Sequence, residues 1–271
     1  EVYTKKLFGE ERYNAFCKEL QQSSPVSIRL NPFKTSKTTK VTDSFAPIPV
    51  PWCKEGFYLN ARPNFTFDPL FHAGAYYVQE ASSMFLSHVL RCLVRKPVAL
   101  LDLCAAPGGK TTCARTAIAE GSIVFSNEPI NKRAQILAEN VQKFGHSDVV
   151  VTNNYPRDYK KTKLAFDVVV ADVPCSGEGM FRKDPQAIAE WSEQNVANCW
   201  QLQRTIIADI WDNLKPGGLL IYSTCTFNAH ENEENIAWIL SEYDAELLEI
   251  PTENAWNITG SLIENPLKAG E

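Results

Sequence analysis

The chain has 271 residues, of which 44% are hydrophobic and 22% are charged, and its formal net charge at pH 7 is −5. This length supports one large domain, or a large domain with a small one. It contains no run of about 18 apolar residues, which excludes an ordinary transmembrane helix. Nothing near the N-terminus resembles a signal peptide. We therefore expect a cytoplasmic protein with no membrane partner.

Eight cysteines are scattered along the chain without a Cys-x-x-Cys pair, so zinc-site spacing is absent. We predict free thiols and no metal site. The acidic balance argues against nucleic acid as a partner, whereas local basic clusters are compatible with phosphate contacts or with a solvated face. These clusters are Lys34, Lys37 and Lys40; Lys160, Lys161 and Lys163; and Arg182 with Lys183.

The N-terminal part of the sequence combines helical and extended patterns. Apolar spacing predicts an amphipathic helix over residues 4–20, a strand over 27–30, an irregular stretch over 59–71 and a helix over 76–90. We interpret residues 1–70 as a small N-terminal α/β unit that faces RNA, and residues 71–271 as a second, larger domain.

From Pro97 onward, short apolar runs rich in β-branched residues alternate with helical segments. This alternation predicts βαβ units, and hence a doubly wound parallel sheet covered on both faces. The predicted strands are residues 98–103, 123–126, 149–152, 166–171 and 219–223, with a sixth at 246–250. The predicted helices are residues 110–119, 131–144, 196–214 and 231–243.

The segment LDLCAAPGGKT, residues 101–111, joins the first of these strands to a helix. Gly108 and Gly109 permit a tight turn and the close approach of a ligand, and the N-terminus of the next helix offers free N–H groups. A phosphate-binding loop fits at Gly109 and Lys110. However, its first glycine falls on Cys104, and Pro107 lacks an N–H that such a loop uses.

A nucleoside-bearing cofactor is a second interpretation of this loop. An acidic residue is then expected to end the second strand and hold the ribose hydroxyls, and Glu128 stands at that place. The dinucleotide pattern G-x-G-x-x-G is missing, which argues against NAD. A purely structural glycine turn is the third interpretation, although it gives no role to Lys110 or Glu128.

Two cysteines follow the ends of neighbouring strands. The fourth strand leads into Asp172 and Cys175, and the fifth leads into Cys225. In a doubly wound sheet the first, fourth and fifth strands are adjacent at the sheet centre, and the loops at their carboxyl ends converge. We therefore expect the glycine loop, Asp172, Cys175 and Cys225 to surround a single pocket.

Three long segments carry a family resemblance: DLCAAPGGKT (102–111), ADVPCSGEGMFRKDP (171–185) and YSTCTFNAHENEEN (222–235). They resemble the motifs of the RNA cytosine-C5 methyltransferases of the Nop2/Sun family. The part GEGMFRKDP is most similar to the bacterial 16S ribosomal-RNA branch (RsmF-like). The segment HAGAYYVQEASSM (72–84) is similar to the family's segment before the cofactor domain. The resemblance covers roughly residues 25–245.

This resemblance implies a Rossmann-like fold, S-adenosyl-L-methionine as cofactor, and methyl transfer to carbon 5 of a cytosine in RNA. Ribosomal RNA or a ribosomal subunit is the expected partner, with transfer RNA as the alternative. The family often carries a C-terminal RNA-binding domain, which we expect to be absent from this chain. A P-loop NTPase and a catalytically silent RNA-binding homologue are the rival functions.

The resemblance also implies roles for individual residues. Cys225 would be the covalent nucleophile, Cys175 would help to release the product, and Asp172 would lie between cofactor and base. Lys110 is a candidate for lowering the pKa of the nucleophile. The predicted cofactor-binding residues are Cys104, Ala105, Ala106, Pro107, Gly108, Gly109, Lys110, Glu128, Arg133 and Asp172.

One position departs from the family pattern. The family usually has an Asp shortly after the third strand, where it accepts a hydrogen bond from the adenine amine, and our alignment places Tyr155 there. Asn153, Asn154 and Asp158 are the candidates to replace it.

Overall fold

The computed structural model describes residues 2–35 and 47–263. Lys37 and Lys40 of the first basic cluster lie outside these residues. The chain divides into two compact units, which we name by their contents. The sheet unit comprises Pro25–Asp172 and Asp209–Ile221. The cysteine-loop unit comprises the residues up to Ser24, Val173–Ala208 and the residues from Tyr222 onward.

The chain begins with two helices, and the prediction of a single helix over residues 4–20 was wrong. Helix α1 spans Val2–Phe8 and helix α2 spans Glu10–Leu20. Gly9 separates them with φ 74°, a left-handed conformation that glycine adopts without steric cost and that interrupts a right-handed helix.

The first sheet of the sheet unit is antiparallel, with strand order β2-β3-β1-β4. Its strands are β1 Val26–Leu30, β2 Ile48–Val50, β3 Cys53–Leu59 and β4 Tyr76–Val78. A one-turn helix, α3 Pro69–His72, precedes β4, and the side chain of Asp68 caps it by accepting from the Leu70 N–H. The stretch 59–71, predicted to be irregular, therefore contains a helical turn.

The helix predicted over residues 76–90 was also wrong at its start. Residues 76–78 form β4, which pairs with β1 in the register Ile28↔Val78, and helix α4 begins only at Phe85 and ends at Leu93. The first sheet thus extends past residue 70, and the domain boundary that we expected there stays a prediction.

The second sheet confirms the predicted fold class. Its strand order is β7-β6-β5-β8-β9, and the pairings of β5 with β6, β5 with β8 and β6 with β7 are parallel. The first, fourth and fifth of these strands are consecutive neighbours, as expected, although β9 ends the row. The strands are β5 Ala99–Asp102, β6 Ile123–Asn127, β7 Val149–Thr152, β8 Phe166–Asp172 and β9 Leu214–Ser223.

The helices that alternate with these strands are α5 Gly109–Ala117, α6 Asn131–Phe144, α7 Pro185–Glu190, α8 Glu193–Ile210 and α9 Glu233–Glu242. The bounds of α6 agree with the prediction, because Gly145 ends the helix at φ 80° in the position that glycine commonly takes after a helix. The sixth strand predicted at residues 246–250 was wrong, since these described residues form no strand.

The core of the sheet unit lies between the second sheet and the helices α4 and α5. The cluster is apolar, and burying each of its leucine, isoleucine or valine side chains contributes about 1.5–3 kcal/mol. It consists of Leu86, Leu90, Leu100, Cys113, Ala114, Ile118, Val124, Val168 and Val170. Across residues 2–35 and 47–263, every helix is too short or too polar to cross a lipid bilayer.

Candidate active site

The loop after β5 is held in an unusual backbone conformation. The Ala106–Pro107 peptide bond is cis, and Gly108 adopts φ 109° directly before helix α5. Helix α6 fixes the loop from one side, because Arg133 Nη2 donates to the Ala106 carbonyl at 3.1 Å and Asn140 Nδ2 donates to the Pro107 carbonyl at 2.8 Å. The loop therefore presents its backbone in one conformation to a ligand.

Glu128 directly follows the last residue of β6 and is only 1% exposed. Its Oε1 accepts from the Ile130 N–H at 3.0 Å, whereas Oε2 has no hydrogen-bond partner and lies 3.5 Å from Arg133 Nη2. A buried carboxylate oxygen without a donor costs free energy unless a ligand satisfies it. This orphaned oxygen is the feature expected of a residue that holds ribose hydroxyls.

Asp102, at the end of β5, is a second buried carboxylate in the sheet unit. Its Oδ2 accepts from Thr111 Oγ1 at 2.6 Å, and its Oδ1 has no hydrogen-bond partner. Burial raises the pKa of Asp102 to about 7, and the negative charges of Asp172 and Glu128 act in the same direction. No role was predicted for Asp102 from the sequence, although it stands just before the two glycines of the loop.

Lys110 and Asp172 form an ion pair, with Lys110 Nζ 2.8 Å from Asp172 Oδ2. Lys110 lies in the first turn of α5 and Asp172 is the last residue of β8, so the glycine loop and the end of the fourth strand meet as predicted. Cys104 belongs to the same loop. Burial raises the pKa of its thiol to about 12, and nearby carboxylates add to that effect, so Cys104 stays protonated and is no nucleophile.

The segment after β7 contains the residues considered for the adenine contact. Tyr155 is exposed, and its N–H donates to Asp158 Oδ2 at 3.1 Å, while Lys161 Nζ donates to Asp158 Oδ1. Both carboxylate oxygens of Asp158 therefore already have partners. Asn153 Nδ2 donates to the Glu128 carbonyl at 2.7 Å, which places Asn153 beside the ribose-binding candidate.

In the cysteine-loop unit, the two predicted catalytic cysteines are in contact. Cys175 Sγ lies 2.8 Å from Cys225 Sγ, and the Cys225 N–H donates to Cys175 Sγ at 3.3 Å. These hydrogen bonds lower the pKa of Cys175. The strand ends that carry the two loops are joined by the Val173 N–H, which donates to the Ser223 carbonyl at 3.0 Å.

Other cysteines lie in environments that oppose ionisation. Burial raises the pKa of Cys53, and it raises those of Cys113 and Cys199 to about 11 each. All eight cysteines lie within the described residues, and none forms a disulfide. By contrast, the pKa of Cys175 is shifted downward, and Cys225 is exposed to solvent.

Two buried glutamates lie beside the cysteines, and neither was predicted as a site residue from the sequence. Glu178 is 7% exposed and Glu231 is fully buried, and both accept hydrogen bonds from the backbone of the cysteine loops. The helix predicted over residues 231–243 would begin at Glu231. That expectation was wrong, because α9 begins at Glu233, after Asn232. The sequence signal that could have identified the two glutamates is the cluster of polar residues within ten positions of each cysteine.

Comparison with known proteins adds independent information. Residues 94–263 match the family model described as 16S rRNA methyltransferase RsmB/F, and residues 2–81 match the N-terminal domain of 16S rRNA methyltransferase RsmF. The chain is 35% identical over 233 residues to the ribosomal RNA small subunit methyltransferase F of Pectobacterium atrosepticum, an alignment that covers 80% of this chain and 47% of that protein. The chain thus spans about half the length of the relatives it matches.

Solved structures agree with the fold. A methyltransferase homologue from Pyrococcus horikoshii is 29% identical and superposes with a TM-score of 0.78, over 91% of this chain and 79% of that one. NSun6 from the same organism, solved with SFG, has a TM-score of 0.78 at 20% identity, over 89% of this chain and 86% of that one, and shows the shared fold. The family match covers the whole second sheet, the glycine loop and both cysteine loops, and the chain belongs to the 16S rRNA methyltransferase RsmB/F family.

Proposed function

We propose that this chain transfers a methyl group from S-adenosyl-L-methionine to carbon 5 of a cytosine in RNA, through a covalent adduct of Cys225. The observation that carries the proposal is the contact of two thiols, Cys175 and Cys225, at 2.8 Å. Methyl transfer through a covalent adduct needs one cysteine as the nucleophile and also a base next to it, and a second thiol in contact with the first can serve as that base. The names of the relatives support ribosomal RNA as the substrate, and the cytoplasm stays the proposed place of action.

The sheet unit supplies groups that fit S-adenosyl-L-methionine. The orphaned Oε2 of Glu128 suits a ribose hydroxyl donor, and Gly108 supplies the positive φ of 109° with which the loop turns into α5. Cys104 to Lys110 would hold the methionine and ribose side, with Arg133 and Asp172 flanking it. When bound, the cofactor supplies an electrophilic methyl group on a sulfonium.

Carbon 5 of cytosine is a weak nucleophile. Addition of the Cys225 thiolate to carbon 6 forms an S–C bond and makes carbon 5 electron-rich, which divides one difficult step into two easier ones. Asp172 is proposed to hydrogen-bond the base at its ring nitrogen or amine as charge develops there. Attack by Cys225 as thiolate requires that its thiol first lose its proton to water.

Product release then requires a base. Once carbon 5 carries the methyl group, its hydrogen must leave as a proton and the S–C6 bond must break. Cys175, after losing its own proton to water, takes the proton from carbon 5 while Cys225 departs as thiolate. The lowered pKa of Cys175 favours this role. The proposal requires that Asp172 and both thiols reach the same pyrimidine ring.

A methylation assay tests the proposal. The chain is incubated with methyl-labelled cofactor and either small ribosomal subunits or transfer RNA, and the digested nucleosides are analysed by mass spectrometry. We expect labelled 5-methylcytidine from ribosomal RNA. Label confined to transfer RNA would support the alternative substrate. Absence of label with both RNAs, together with calorimetric binding of ATP instead of S-adenosyl-L-methionine, would overturn the proposal in favour of an NTPase.

Single substitutions separate the roles of the two cysteines. Cys225→Ala is expected to abolish methyl transfer while cofactor affinity stays within a few-fold. Cys175→Ala is expected to leave attack possible and to let a covalent protein–RNA adduct accumulate on denaturing gels. Normal turnover of Cys225→Ala would show that the nucleophile is assigned incorrectly. Retained RNA binding without methyl transfer by the unmodified chain would indicate a silent homologue.

A further inference from the structure

We propose that Glu178 and Glu231 are positioning residues that hold the two cysteine loops against each other, Glu178 acting on the Cys225 loop and Glu231 on the Cys175 loop. This inference rests on the proposed function for its effect on catalysis. The geometry is reciprocal, since each glutamate belongs to one loop and accepts a hydrogen bond from the backbone of the other.

Glu178 follows Cys175 by three residues and points away from its own loop. Its Oε2 accepts from the Phe227 N–H at 2.7 Å, two residues beyond Cys225. Its Oε1 accepts from Trp191 Nε1 at 3.1 Å, which fixes the carboxylate from the other side. Glu178 therefore defines where the backbone after Cys225 runs.

Glu231 makes the opposite connection. It follows Cys225 by six residues, and its Oε2 accepts from the Ser176 N–H at 3.0 Å, the residue directly after Cys175. Gln203 Nε2 donates to the same oxygen at 2.7 Å and also to the Pro174 carbonyl at 2.8 Å. The backbone on both sides of Cys175 is thus tied to Glu231, directly or through Gln203.

Asn228 links the two carboxylates. Its Nδ2 lies 2.8 Å from Glu231 Oε1 and 3.3 Å from Glu178 Oε1, and its Oδ1 accepts from the Glu231 N–H at 2.9 Å. Gly179 adds a direct backbone contact, because its N–H donates to the Cys225 carbonyl at 2.6 Å. A Cβ at Gly179 would collide with that carbonyl oxygen, so only glycine allows this approach.

Carboxylates are required at both positions for a chemical reason. Each glutamate accepts at both oxygens, and an ionised carboxylate is the side chain that offers two acceptor oxygens and no donor. Glutamine keeps the shape but replaces one acceptor by an NH₂ group, which would face an N–H or NH₂ donor. Because a displacement of about 1 Å at a reacting group costs about 100-fold in rate, loosening either loop should be visible in kinetics.

The experiment compares Glu178→Gln and Glu231→Gln with the control Glu234→Gln, a half-exposed residue of the same region whose side chain pairs with His230 at 2.8 Å. Single-turnover reactions with ribosomal RNA separate formation of the covalent adduct from its release. We expect Glu178→Gln to slow adduct formation about 10- to 100-fold without accumulation. We expect Glu231→Gln to slow release, so that adduct accumulates as in Cys175→Ala. In the control Glu234→Gln, the rates of adduct formation and release should stay within about two-fold of those of the unmodified chain.

A second measurement does not depend on RNA or on methyl transfer, and so separates failure of this inference from failure of the proposed function. Alkylation by iodoacetamide is followed at each cysteine by peptide mass spectrometry, with Cys17 as internal reference. Glu178→Gln should change the rate mainly at Cys225, and Glu231→Gln mainly at Cys175, by about five-fold or more. Equal changes at both cysteines, or none, in folded variants would overturn the inference.

If a glutamate variant fails to fold, Asn228→Ser is measured instead in the same alkylation experiment. It removes the link between the carboxylates and leaves both of them in place. We expect a changed alkylation rate at both cysteines. Rates equal to those of the unmodified chain at Cys175 and Cys225 would contradict the inference.

Discussion

Glu128→Gln should weaken cofactor binding without destabilising the free protein. In the structure Oε1 of Glu128 already accepts from the Ile130 N–H, and Oε2 is buried without a donor. Glutamine can keep the first contact with its oxygen. Its NH₂ group then takes the place of Oε2, where the proposed ribose hydroxyl would need an acceptor.

The size of the effect follows from the lost contact. A hydrogen bond to a charged group contributes about 1.5–3 kcal/mol, so the dissociation constant for S-adenosyl-L-methionine should rise about 10- to 150-fold. The free energy of unfolding of the ligand-free chain should stay equal or rise by about 1 kcal/mol, because a buried, incompletely satisfied charge is removed. Cofactor binding should therefore weaken without a loss of stability in the ligand-free chain.

Isothermal titration calorimetry with S-adenosylhomocysteine and with its 2′-deoxy and 3′-deoxy analogues measures this coupling directly. The variant should lose affinity for the ribose form, and should differ little from the unmodified chain for at least one deoxy form. Glu139→Gln, an exposed glutamate on α6, is the matched control. Equal affinities of the unmodified chain and Glu128→Gln for the ribose form would refute the assignment of Glu128.

Two further predictions concern stability. The folded-state pKa of Asp102 is about 7, above the ordinary value of 3.8, so the folded chain binds this proton more tightly than the unfolded chain does. The free energy of unfolding should therefore fall as the pH rises from about 4 to about 7, by up to about 4 kcal/mol. The free energy of unfolding is measured by urea denaturation at several pH values. Asp102→Asn should lose this pH dependence, and the exposed control Asp212→Asn should keep it. The same pH dependence in Asp102→Asn as in the unmodified chain would contradict the assignment. Gly108→Ala should lower the free energy of unfolding by about 1–3 kcal/mol, because φ is 109° and the new Cβ would lie 3.2 Å from Leu137 Cδ1. Gly260→Ala, with open space around it, is the control, and equal stabilities of the two variants would argue against strain at Gly108.

Local signals explain why much of the fold could be predicted. Helix α6 combines an apolar stripe with a glycine directly after its end, and β7 is a short run of β-branched residues, so both were placed with correct bounds. The strand β4 was missed because its three residues pair with residues 46 to 50 positions earlier, Ile28 to Leu30, which a local pattern does not contain. The start of β9 was missed because Pro216 and two glycines resemble a turn.

In the candidate site, too, the residues set by local sequence patterns were predicted and those set by distant partners were missed. The glycine loop, Glu128 and both cysteines stand at strand ends, which sequence periodicity locates. The carboxylates Glu178 and Glu231 were missed because their partners are backbone N–H groups about 50 residues away, and only the folded chain brings these groups together. From the sequence alone, a glutamate that is buried against a distant partner cannot be distinguished from a glutamate on the protein surface.

Trapping the covalent intermediate tests the central claim most directly. A ribosomal-RNA fragment with 5-fluorocytidine in place of cytidine is incubated with the chain and S-adenosyl-L-methionine, so that no proton can leave carbon 5 and the adduct persists. Peptide mass spectrometry should find the modified nucleotide on Cys225 alone, and Glu178→Gln should delay its appearance. A nucleotide attached to Cys175, or full methylation of ordinary RNA with no trapped adduct, would contradict the account.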